Sequence, residues 1–238
     1  MEDGMEAVTF SGGGEPTLHP KFPEIVKNST KELKYGLFTN ALDPIKYDAG
    51  KFDWIRVTKT NKDFNDENIK KLSENCKSVG LCINYKDASE QIEEIEHALT
   101  LANKYDLEYV QLRPALNIMG EITYISAPAK YRILLDKKLI ITDYKFQKCK
   151  DKNRRYKRCE GYHFTPMVWE NGMMSACMYM RHNHDYDIGS IYDHTFTELC
   201  NMMPESLPVL DDCQICCKNN EINKFISDAK NIKNRRFV

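Results

Sequence analysis

Thr9-Phe10-Ser11-Gly12-Gly13-Gly14-Glu15-Pro16-Thr17-Leu18-His19-Pro20 is the stretch whose residue types and spacing most directly suggest chemistry. Ala7 to Phe10 reads as the end of a buried strand. Three glycines follow it, and without Cβ atoms they let the backbone approach a ligand closely. Glu15, held between glycine and proline, points one acidic group into the same space. Ligands of α/β sheets and barrels bind beyond the carboxyl ends of the strands. The loop therefore suits a ligand with an amino group or another cation; a plain tight turn is the competing reading. A phosphate loop is excluded, because no Gly-Lys-Ser/Thr follows. The dinucleotide fingerprint fails on its glycine spacing.

Cysteine is the second chemical signal. The chain has nine, and none precedes Cys76. Cys159 and Cys177 flank Glu170-Asn171-Gly172, and Asn-Gly between two apolar runs predicts a hairpin that brings its flanks together. Cys213-Gln214-Ile215-Cys216-Cys217 follows. Four thiolates suit a tetrahedral zinc or a four-iron cluster, and the spacing does not choose between them. Cys149 and Cys200 have no matched spacing. Cys76 and Cys82 read as buried packing. His163, His182, His184 and His194 read as loop and surface residues.

Strands and helices that could position these groups alternate along the chain. Strands are expected at Ala7–Phe10, Tyr35–Asn40, Trp54–Thr58, Val79–Tyr85 and Leu107–Pro114, with another at Leu139–Asp143. Between them lie helical patterns at Lys21–Leu33, from Asp43-Pro44, at Asn65–Cys76, from Ser89 to Tyr105 and at Lys130–Lys138. This alternation argues a parallel sheet covered by helices. Periodicity alone leaves a partial barrel and an open doubly wound sheet equally open. Strand polarity places Asn40, Thr58, Asn84 and Arg113 at the same mouth as Glu15. Thr58 could bond a ribose or be no more than a β-propensity residue. Arg113 suits an anionic group or a loop cap.

Gly13-Gly14-Glu15-Pro16, directly after an apolar strand, resembles the glycine-glycine-glutamate motif of radical S-adenosylmethionine enzymes. Cys-x12-Gly-x4-Cys, a Gly-Ser-Ile segment and then Cys-x2-Cys resemble the SPASM or shorter twitch extension that carries an auxiliary cluster in those enzymes. The resemblance implies a partial (β/α)6 TIM-like barrel over residues 1–147, lacking its first strand and cluster loop. A small cysteine-rich hairpin-plus-helix domain over 148–238 would follow. It implies S-adenosylmethionine held by Gly13, Gly14 and Glu15, with Asn40, Thr58 and Arg113 nearby. It also implies a [4Fe–4S] cluster on Cys159, Cys177, Cys213 and Cys216, with Cys217 able to replace either of the last two.

The activity implied is reductive cleavage of the sulfonium to a 5′-deoxyadenosyl radical that abstracts hydrogen from a peptide or protein, or else a small molecule. A flavodoxin or ferredoxin would supply the electron. The family's Cys-x3-Cys-x2-Cys loop is absent from the sequence, so the expectation is a fragment that does not cleave the cofactor alone. A zinc-stabilised binding module and a degenerate, non-catalytic relative are the rival readings.

Composition narrows the setting. The 238 residues carry a formal net charge of −1, which provides no global basic field for nucleic acid. The basic run from Lys148 to Arg158 reads as a solvated loop. No apolar run reaches the roughly 20 residues a membrane span needs. No signal peptide is visible, and a cytoplasmic protein is expected.

Overall fold

The structure, a computed structural model, describes residues 5–85, 91–114, 138–141, 156–177, 180, 183–209, 213, 217 and 219–232. The chain divides into two compact units, Asp3–Tyr144 and Lys145–Val238. Residues 130–137 of the helix expected over 130–138, and Cys149, Cys216 and His182, lie outside the described residues.

The first unit contains β1 (Ala7–Phe10), β2 (Lys34–Thr39), β3 (Trp54–Thr58), β4 (Val79–Tyr85), β5 (Tyr109–Pro114) and β6 (Leu139–Ile141). They form one six-stranded sheet in the order β1-β2-β3-β4-β5-β6. Every neighbouring pair is parallel. A doubly wound sheet reverses its strand order at a switch point, where its ligand binds. This sheet never reverses, which is the winding of a barrel.

Helices α1 (Phe22–Lys27), α2 (Asp66–Asn75) and α3 (Ile92–Lys104) connect the strands. Phe22, Val26, Ile69, Leu72, Ile95 and Ala98 join Leu37, Ile55, Val57, Leu81, Ile83 and Leu112 in one buried cluster. These strand positions alternate with Gly36, Phe38, Arg56, Thr58, Cys82, Gln111 and Arg113, which therefore point to the other, inner face. Full burial of a Leu or Ile contributes about 1.5–3 kcal/mol. Ile55 is 0% exposed, so Ile55→Ala would cost roughly 2–5 kcal/mol by leaving a cavity.

Local chemistry sets the helix ends. The Asn65 side chain accepts from Asn68 N at 3.1 Å and starts α2, and Cys76 ends it. Helix α1 stops at Lys27, short of the Leu33 expected from spacing. Ser29 Oγ donates to Val26 O at 2.7 Å, a local bond that competes with continuing the helix. No helix starts at Asp43-Pro44. Instead, Asn68 Nδ2 donates to Ala41 O and Asp43 O at 2.8 and 2.9 Å, satisfying that loop's carbonyls.

The second unit holds the expected hairpin, with β8 (Met167–Val168) pairing β9 (Met173–Ser175). Gly172 takes φ +80°, and a Cβ there would lie 2.3 Å from the Tyr192 ring. β10 (Asp187–Ser190) adds to β9, and β7 (Arg158–Cys159) pairs β11 (Leu207–Pro208). Helix α4 (Phe196–Met202) starts on a Thr195/Glu198 capping box, and α5 is Asn220–Lys230. Cys213 and Cys217 precede α5.

Candidate functional site

The Glu15 carboxylate sits at the carboxyl end of the neighbouring strand. Its Oε1 accepts from Thr17 N at 3.1 Å, Thr17 Oγ1 at 2.7 Å and Thr39 Oγ1 at 2.8 Å. Its Oε2 accepts from Asn40 N at 2.6 Å. Thr39 ends β2 and is buried, so the acid ties the β1 loop to the β2 terminus. An ionised carboxylate has about four lone-pair directions. Three donors on Oε1 and one on Oε2 leave Oε2 with acceptor capacity for a further cation.

Gly13 and Gly14 are exposed beside it. Neither adopts positive φ, and a Cβ on Gly14 would meet nothing within 4 Å. Neither backbone conformation nor packing in this fold requires glycine at 14. Open space over a glycine beside a carboxylate is what close approach of a ligand requires. The Asn40 side chain accepts from Leu42 N at 3.0 Å, so it caps its own loop. Tyr47 adds a hydroxyl that is buried and has no hydrogen-bond partner. Its pKa is pushed up, first by burial and then by the charge of Glu15.

Thr58 and Arg113 do reach a common place on the inner face. Both lie on that face with Cys82, whose pKa burial pushes up against the pull of the Arg56 and Arg113 charges. Cys82 is 1% exposed and buried in the core as its strand position implied, though it lies outside the main apolar cluster. Arg56, which the sequence reading passed over, donates from Nη1 to Gln111 Oε1 at 3.0 Å and stacks over Phe38 at 4.0 Å. Alternation along β3 would have placed it with Thr58.

A second cluster lies wholly in the second unit. Cys159, Cys177, Cys213 and Cys217 line one cavity of about 40 Å³, with Ala176 and Leu207 among its apolar walls. Asn223 Nδ2 donates to Cys159 Sγ at 3.2 Å, and Asn219 N donates to Cys217 Sγ at 3.4 Å. Amide N–H groups aimed at sulfur are the outer-shell feature of thiolate metal centres. The donor set fits such a centre. As they stand, no three His, Cys, Asp or Glu among the described residues are grouped closely enough to hold an ion.

A groove of about 480 Å³ opens at the opposite, amino-terminal end of β4 and β5, lined by Lys77, Ser78 and Glu108. Residues at that end of a parallel barrel serve stability. Among the described residues, no helix is long and apolar enough to cross a membrane.

Solved structures share this architecture. SuiB of Streptococcus suis, bound to its precursor peptide SuiA, aligns with 84% of this chain and 54% of its own, at 10% identity and TM-score 0.57. The same protein bound to S-adenosylmethionine gives 81% and 54%, at 12% identity and TM-score 0.52. anSMEcpe, with AdoMet and the Cp18Cys peptide, covers 98% of this chain and 74% of its own, at 14% identity and TM-score 0.50. The chain has the radical S-adenosylmethionine enzyme fold. It spans about half the length of SuiB and three quarters of anSMEcpe. No family model and no curated protein matches the sequence.

Within the radical S-adenosylmethionine fold, the inner face and the strand carboxyl ends are where Glu15, Thr58 and Arg113 stand. Sequence identity of 10–14% carries the fold and no individual residue's role.

Proposed function

We propose that the first unit binds S-adenosylmethionine over Gly13 and Gly14, with the Glu15 carboxylate receiving the ammonium of its methionine end. Asn40, Thr58 and Arg113 border the same mouth. The second unit, assigned to residues 148–238, holds an auxiliary iron–sulfur cluster on Cys159, Cys177, Cys213 and either Cys216 or Cys217. When bound, the cofactor supplies one-electron reductive cleavage of its sulfonium and hydrogen abstraction from a substrate. A peptide is the favoured substrate and a small molecule the next. The electron comes from a flavodoxin- or ferredoxin-type carrier, in the cytoplasm.

One observation carries this reading. Glu15 is held by Thr17, Thr39 and Asn40 beside a glycine whose missing side chain leaves open space. A turn needed only for folding would have no use for that space. Within it, this chain's residues bind and orient. Glu15 fixes the charged end, and the inner-face side chains receive the remainder. The sequence contains no Cys-x3-Cys-x2-Cys, so residues 1–238 bind the cofactor and do not cleave it unaided.

Calorimetric titration of the chain with S-adenosylmethionine tests this, with Glu15→Gln as control. Saturable binding lost in the variant supports the reading; equal heats from both proteins refute it. An assay for 5′-deoxyadenosine after anaerobic reconstitution should find none from this chain.

A zinc site is the second reading for the cysteines. It is favoured by a cavity of about 40 Å³, which admits one ion more readily than four irons. Metal analysis and visible absorption of anaerobically purified protein separate the two. A brown protein with iron and sulfide supports the cluster, and a colourless one with stoichiometric zinc supports the ion.

A further inference from the structure

We propose that Arg56 and Arg113 form a carboxylate-binding subsite on the inner face of the sheet. The two sit on β3 and β5, with β4 between them. In register, Arg56 is level with Gly80 and Arg113 with Asn84, and the Arg56 side chain reaches up to Gln111, which is level with Cys82 and Thr58 between them. Arg56 Nη1 donates to Gln111 Oε1 at 3.0 Å, and Gln111 lies two residues before Arg113 on the same face of β5.

Arg56 is held in place before any ligand arrives. Phe38 lies under its guanidinium at 4.0 Å, and Trp54 packs against Phe38 with ring centroids 4.9 Å apart. A guanidinium fixed on an aromatic face presents a planar fork suited to the two oxygens of a carboxylate.

What the pair lacks is an anion. Lys59 bonds Glu94 at 3.1 Å, Lys104 bonds Asp66 at 3.0 Å and Lys138 bonds Asp106 at 2.8 Å. Among the described residues neither Arg56 nor Arg113 pairs with an acid, and Arg56 Nε is buried without an acceptor. Burial opposes the charge of Arg56, and the neighbouring Arg113 charge opposes it further. Two cations half-buried together are unfavourable unless a negative group joins them. A carboxylate has two oxygens, one to offer each guanidinium.

That carboxylate belongs to the substrate, an acidic group of a peptide. The subsite does not rest on the Glu15 reading, so either can fail alone.

Trp54 provides the readout. The chain has two tryptophans, so Trp169→Phe leaves Trp54 as the single reporter. Its fluorescence would be titrated with N-acetyl-glutamate amide and with the neutral N-acetyl-glutamine amide. The acid should bind about tenfold tighter or more, as charge-assisted pairing implies. Arg56→Met should erase that preference. Simultaneous binding of S-adenosylmethionine and the acid upholds the subsite, and displacement of the acid by S-adenosylmethionine overturns it. Equal binding of acid and amide, or a preference that survives in Arg56→Met, overturns it. Should Arg56→Met fail to fold, Arg113→Met applies the same test from the other guanidinium.

Discussion

The Asn223 carboxamide donates to the Cys159 sulfur at 3.2 Å while its own oxygen accepts from the Glu160 and Gly161 N–H groups at 2.7 Å each. One buried side chain thus orients a thiol and the turn that carries it. Asn223→Leu removes all three bonds and leaves two N–H groups without their acceptor. It should lower stability by about 2 kcal/mol or more, read from chemical denaturation. In reconstituted protein it should also shift the cluster's midpoint potential to more negative values, since N–H···S bonds stabilise the reduced cluster. A potential that stays put would mean that Asn223 serves the turn alone.

Gly14 and Glu15 should separate binding from folding. Gly14→Ala places a methyl in open space at ordinary φ, so its melting temperature should stay near wild type, within about 0.5 kcal/mol. Its affinity for S-adenosylmethionine should nevertheless fall. Glu15→Gln should lose both, because an amide nitrogen cannot accept from Asn40 N or Thr39 Oγ1. The stability loss should be about 1.5–3 kcal/mol. Equal melting losses in the two variants would contradict this division.

Gly36 and Gly80 behave oppositely to Gly14. A Cβ on Gly36 would lie 2.3 Å from the Trp54 indole, and one on Gly80 would lie 2.3 Å from the Tyr109 ring. Either alanine forces an aromatic aside and should cost about 1–3 kcal/mol. Gly36→Ala should also change Trp54 emission, which gives a readout separate from unfolding.

Alkaline pH should weaken the fold. Burial raises the pKa values of Cys76, Cys82, Tyr47 and Tyr109, and pushes Tyr162 up to about 12. The folded state therefore keeps protons that the unfolded chain releases near 8.5 for Cys and 10 for Tyr. Fewer protons on the unfolded chain means that stability falls as pH rises through that range. Melting temperature measured from pH 7 to 10.5 should decline. Tyr47→Phe removes a buried hydroxyl without a partner, so it should gain up to about 1 kcal/mol and flatten the decline.

The strands were legible because a parallel sheet covered by helices writes its buried face as regular β-branched and leucine positions: Ile55 and Val57, Val79 and Leu81, Val110 and Leu112. Strand order was not legible, since barrel and doubly wound sheets share the same alternation. Helix α1 was overextended because spacing does not show Ser29 bonding back to Val26. The hairpin at Gly172 was legible from Asn-Gly alone. Arg56 was missed because a lone arginine in a strand looks solvated; only register sets it beside Gln111 and Phe38. Asn223 was missed for the same reason, being 64 residues from the cysteine it touches.

Each strand of the main sheet from β2 to β6 is hydrogen-bonded to the one just before it in the chain. Growth of the sheet thus needs no late insertion between strands already joined, and loop closure at each step spans one connection. On a ribosome, each new strand would find its docking edge already waiting, and the Glu15 latch onto Thr39 would close as soon as the second strand emerged.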